Sequence, residues 1–193
     1  METNNTPRLV RALRNAYDQK KGRTELEGAE AGFTLIELMV VLLIMAILLA
    51  IAIPTFLGVK SGAYDRGAQS NLVNSLTSAK AGYANGGTYG TTPVLEQAAL
   101  SSAEPNITFT ATGSVSQASG NSVSVNVSSD GNQVLLVSYS QSGMCWAAED
   151  NEGAATALTN TPSSQGVQYA HWAPTSSACV AVVPAAETWA SHF

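Results

Sequence analysis

The chain has 193 residues, 12% of them charged and 45% hydrophobic, with a formal net charge of −5. That length leaves room for one folded domain of modest core beside an apolar segment, not for two. Regular alternation of Val and Ile among Ser, Thr and Asn excludes a disordered chain and suggests a β-rich body with a polar, mostly uncharged surface.

Charge is divided unevenly along the chain. Six of the nine basic residues (Arg8, Arg11, Arg14, Lys20, Lys21 and Arg23) precede the apolar run, and only Lys60, Arg66 and Lys80 follow it. Without residues 1–32 the chain keeps three basic and nine acidic groups, a formal charge of −6. Such an acidic body offers no broad basic face, so direct nucleic-acid binding is not expected. The basic leader reads as cytoplasmic by the positive-inside bias.

Leu38 to Val59 is a run of 22 residues without a charge. As a helix it spans about 33 Å, enough to cross a bilayer core. Ala50-Ile51-Ala52 supplies a small-x-small pattern that would suit signal-peptide cleavage. Against that reading, the leader is too long and Pro54 would follow the cut directly. A plain single-pass anchor leaves Glu37 unexplained. An ionised carboxylate inside an apolar segment costs roughly 2.5–3.5 kcal/mol on insertion scales and marks function, with a cationic partner to be found.

"GFTLIELMVV" (32–41) resembles the type IV prepilin signature, with Gly32 closing the leader, Phe33 opening the mature chain and Glu37 fifth after the cut. The resemblance covers roughly residues 22–60 and implies the following expectations. A prepilin peptidase cleaves between Gly32 and Phe33 on the cytoplasmic side and methylates the Phe33 amine. The chain is then a structural subunit, read as the major pilin of a type IV pilus, polymerised through its N-terminal helix. Glu37 of an incoming subunit neutralises the Phe33 amine of its neighbour, where either charge alone would be costly. A minor pilin or a type II secretion pseudopilin is the alternative reading, and a non-polymerising membrane-anchored binding domain is a third. Expected partners are further copies of the chain, the peptidase, the inner-membrane assembly machinery and, before assembly, the membrane itself. The precursor would be a single-pass inner-membrane protein with its C-terminal domain outside, and the product an extracellular pilus. Many relatives carry a glycine midway along the apolar helix; here Met45-Ala46-Ile47-Leu48 stands there. Pro54 is retained and is expected to kink the helix.

Past the apolar run, Tyr64, Ala68, Leu72, Leu76, Ala79 and Tyr83 recur every three or four residues, one face of an amphipathic helix over 61–84 that continues the first. "ANGGTYGTTP" (84–93) ends it and opens an αβ-loop over 85–106, with a short helix at 94–100. The period then changes to two, in Ile107, Phe109 and Ala111 and again in Val123, Val125 and Val127. "SSDGNQ" (128–133) predicts a turn, and "VLLVSY" (134–139), apolar on both faces at its start, a central strand. Met144–Ala148 and Ala178–Val183 are candidate last strands. The fold class is α+β: a long helix on an antiparallel sheet of about four strands, the globular part spanning 107–193.

Cys145 and Cys179 are the only cysteines, and beyond a membrane segment a disulfide is expected rather than two buried thiols. It would bound a C-terminal loop, 145–179, which in relatives is the exposed and variable surface. Trp146, Tyr169, His171 and Trp172 lie in or beside it, either packed beneath the loop or forming an exposed patch. Glu149-Asp150-Asn151-Glu152 reads as a solvated acidic turn, with a weak Ca²⁺ site as the less common outcome. Two glycosylation-like triplets begin at Asn106 and Asn126, both on expected strands. No catalytic set is present: the sequence lacks HExxH, CxxC and G-x-S-x-G, and His171 and His192 have no metal-ligand neighbours at useful spacing. Neither an enzyme, a cofactor nor a metal is expected.

Overall fold

A computed structural model describes residues 32–112, 115–116, 121–153, 158–174, 178–185 and 187–193, together with Leu13 and Asn15. The rest of the leader expected over 1–32 lies outside the described residues, as do parts of the expected C-terminal loop. The chain forms two compact units, Met1–Ala52 and Ile53–Phe193.

Helix α1 runs from Leu35 to Gly86, with Pro54 inside it and helical residues on either side. In the first unit its described apolar residues are all exposed. In the second unit α1 buries Ala68, Leu72, Ser75, Leu76 and Ala79, the stripe that the spacing predicts. The helix stops where Gly87 takes φ +70°, with its N–H donating to the Tyr83 carbonyl at 2.6 Å. Helix α2, Pro93–Ala103, is longer than the expected 94–100. Thr92 caps it, its side chain accepting from the Leu95 N–H, and Pro93 opens it, where the missing N–H costs nothing.

Among the described residues seven strands follow: β1 (Thr108–Ala111), β2 (Val115–Ser116), β3 (Ser122–Val127), β4 (Gln133–Tyr139), β5 (Cys145–Asn151), β6 (Gly166–Trp172) and β7 (Ala178–Cys179). Five form one sheet in the order β1-β3-β4-β5-β6, and β2 pairs with β7 as a separate ribbon. The α+β class holds, but the sheet is mixed and has five strands, since β1 runs parallel to β3. The additional strand is β6, inside the stretch expected to be loop. Its residues Val167, Tyr169, Ala170 and Trp172 put apolar side chains on both faces, which hides the period of two.

Both sheet faces are covered. Leu72, Leu76 and Ala79 of α1 and Leu100 of α2 pack on Val123, Val125, Val134, Leu136 and Ala148. Leu135, Val137, Cys145, Ala147 and Ala170 face the other way and meet Cys179, Ala181 and Val183 of the C-terminal segment. That segment crosses the sheet instead of extending it. The Ala181 N–H donates to Ser124 Oγ at 3.0 Å, and its carbonyl accepts from Asn126 Nδ2 at 3.1 Å. Only Ala178–Cys179 of the expected 178–183 is therefore strand. The Cys145–Cys179 disulfide is present, with Cα atoms 5.8 Å apart, and it fastens the segment to β5.

Candidate functional site: the head of the apolar helix

Gly32, Phe33 and Thr34 are non-helical and exposed, and α1 begins at the next residue. Phe33 is 89% exposed, and among the described residues nothing lies within 4 Å of where a Cβ on Gly32 would be.

Thr34 is the residue that starts the helix. Its Oγ1 accepts from the Glu37 N–H at 3.2 Å, while Glu37 Oε2 accepts from the Thr34 N–H at 3.0 Å and the Thr34 hydroxyl at 2.9 Å. This reciprocal pair is a capping box, and it satisfies donors that a helix start leaves open. The T-x-x-E spacing of this cap is legible in the sequence, where the carboxylate's apolar surroundings point instead to a cationic partner. Glu37 Oε1 has no partner among the described residues. The carboxylate therefore has a local task and one oxygen left over. Negative charge at this end of α1 is favoured in addition by the helix dipole.

From Leu35 to Val59 no side chain is buried. The segment is long and apolar enough to cross a membrane. Residues 28–53 match the family model of the prokaryotic N-terminal methylation motif. The N-terminus is that of a type IV pilin-like prepilin. Neither the curated proteins nor the solved structures gave a match to the chain. The motif implies processing by a prepilin peptidase and assembly in a pilus or secretion system, and it points to a structural subunit.

The other residues singled out in the sequence make ring and hydrogen-bond contacts. Trp146 stacks on His171, with centroids 4.8 Å apart, and Tyr169 meets Phe193 at 4.1 Å. Trp172 is buried on the opposite face. Trp146 Nε1 also donates to Asp65 on α1 at 3.2 Å. Burial pushes the Asp65 carboxyl up, but hydrogen bonds from Ser140, Ser142 and Trp146 outweigh it and hold the group below its usual range.

The acidic run corrects the expectation of a solvated turn. Glu149, Asp150 and Asn151 are fully buried in β5. Asp150 faces α1 and α2, where Lys80 Nζ lies 2.8 Å away and the Tyr89 hydroxyl donates to it. Glu149 faces the other side, accepting from Gln133 Nε2 at 2.6 Å. Gln133 also donates to Thr161 and accepts from the Leu158 N–H, so one buried amide holds residues 158–161 to the sheet. Burial raises the Glu149 carboxyl to about 7; the Gln133 hydrogen bond opposes this and the Asp150 charge adds to it. Among the described residues no group of three or more His, Cys, Asp or Glu is placed to hold a metal. Asn126 is engaged by Ala181, whereas Asn106 lies in an exposed turn and not on a strand.

Proposed function

We propose that the chain is a pilin subunit, read as the major pilin, that is cut between Gly32 and Phe33, methylated at Phe33 and polymerised through α1. The observation that carries this reading is an apolar helix with no covered residue from Leu35 to Val59, headed by a single carboxylate. Apolar area of that extent is stable in two settings, lipid and a bundle of like helices. The precursor occupies the first, with its leader cytoplasmic and its C-terminal domain outside; the assembled filament supplies the second.

Cleavage creates the cation that Glu37 lacks. The Phe33 amine appears four residues before Glu37, and Glu37 Oε1 remains open to accept it from a neighbouring subunit while Oε2 keeps the Thr34 cap. In a core poor in water, an unmatched carboxylate or amine is strongly penalised, so the pair selects one axial register. Pro54 removes one helix hydrogen bond and acts as the point where α1 bends on packing.

Mass spectrometry of the N-terminal peptide from sheared surface material tests the reading. The expected peptide begins at methylated Phe33; one beginning at Ile53 would instead mean signal-peptide processing. Glu37→Ala is expected to leave insertion and cleavage intact while crippling fibre growth. Fibres of normal length in that variant would remove the role of the carboxylate. High abundance of the chain in sheared filaments separates a major pilin from a minor pilin or pseudopilin.

A further inference from the structure

Beside the sheet, α1 and α2 splay apart and leave an open cavity of about 500 Å³ between them. Ala81, Gly82 and Asn85 form one wall, at helical spacing along α1, and Ala99 and Ala103 belong to the other. These small side chains leave a groove that another chain's element can enter closely. Glu96 lies on the same stripe of α2 as Ala99 and Ala103, so its side chain is directed into the groove. It is only 7% exposed, and its carboxyl has no hydrogen bond or ion pair among the described residues. The nearby Glu104 is already engaged, accepting from Ser78 Oγ at 2.8 Å. The carboxyl opens into the groove and is not sealed in core, where an apolar residue would serve better. The carboxyl is placed for a cation that this copy does not supply.

Once residues 1–32 are removed, the side chains supply three cations against nine acids, and the new Phe33 amine is assigned to Glu37. Lys80 is taken by Asp150 and Glu152. Lys60 Nζ lies 5.5 Å from the centre of the Tyr64 ring. Arg66 is exposed and has no ion pair among the described residues. We propose that Arg66 of a second copy enters the groove between α1 and α2 and pairs with Glu96. The inference rests on the polymer reading, because it needs copies packed side by side. Charge complementarity selects a second copy as the occupant: an acidic body repels its own kind, and a matched pair at the contact offsets that repulsion and fixes which neighbour fits. Arginine suits the site better than lysine, since its planar fork bonds a carboxylate at two points.

Charge exchange in the full-length chain, expressed in cells that assemble it, tests the contact. Glu96→Arg and Arg66→Glu are each expected to lower the yield of sheared fibres roughly tenfold, the change that a contact worth one decade of affinity produces. The double variant recovers most of it. A second measurement uses Arg66→Cys with Glu96→Cys: mild oxidation of intact fibres is expected to give crosslinked ladders, whereas detergent-dispersed subunits stay monomeric. If each single variant melts like the wild type in detergent yet the double variant assembles no better than the worse single, the pairing is overturned. Absence of the ladder in well-formed fibres overturns it too. If the unaltered chain forms no fibres at all, the polymer reading fails first and takes this contact with it. Normal fibres from Glu96→Arg would remove the contact alone.

Discussion

Replacing Glu149 by glutamine isolates the cost of one buried carboxyl. In the fold Glu149 is fully buried beside Gln133, with Oε1 bonded to Gln133 and Oε2 without a hydrogen bond among the described residues. Burial lifts its pKa from the ordinary 4.5 to about 7, so the folded chain holds this proton more tightly than the unfolded chain does. Stability from this group is therefore complete below pH 4.5 and declines as pH rises to about 7. A shift of that size corresponds to about 3 kcal/mol at pH values above both limits. Glutamine keeps an oxygen for Gln133 and cannot ionise, but leaves an unpaired amide N–H where Oε2 was, which returns roughly 1 kcal/mol or more. The variant should match or fall slightly below the wild type at pH 5 and exceed it by about 2 kcal/mol at pH 8.5. Urea titration of the detergent-held chain, followed by tryptophan fluorescence, measures both. Glu96 is also raised to about 7 by burial, but it adds the same slope to both proteins and cancels in the difference. An equal gap between variant and wild type at the two pH values would refute the reasoning.

Two further substitutions probe the scaffold. Gly131 sits in the β3–β4 turn at φ +71°, where a Cβ would lie 2.0 Å from Thr88 Oγ1 and 2.9 Å from the Gly90 carbonyl oxygen. Gly131→Ala should cost about 2–4 kcal/mol, read as a lowered melting temperature, and adding Thr88→Ala should recover only part because the Gly90 backbone remains in the way. Cys145→Ser removes a cross-link with a sequence separation of 34, worth about 4 kcal/mol in the chain-entropy model. It should free residues 178–193 for proteolysis while leaving leader removal unchanged. Undiminished protease resistance would show that Ser124 and Asn126 hold the segment without the disulfide.

What could be read in the chain itself was local. The apolar run, the order of residues around Gly32 and Glu37, the α1 stripe from Ala68 to Ala79, the glycine stop and the central strand β4 each follow from neighbours within one or two turns of structure. The T-x-x-E cap is equally local, though an acid in an apolar segment is equally consistent with a distant cation. Decisions that pair residues far apart were made only by the tertiary structure. Glu149 and Asp150 look solvated in a row of acids, yet Gln133 and Lys80 accept them into the interior from elements 16 and 70 residues away. Ser124 and Asn126 look like a wet face until the C-terminal segment lies across them. A polar side chain carries no mark of whether water or a remote partner will satisfy it, since both supply the same hydrogen bond; which one does is settled when the chain closes on itself.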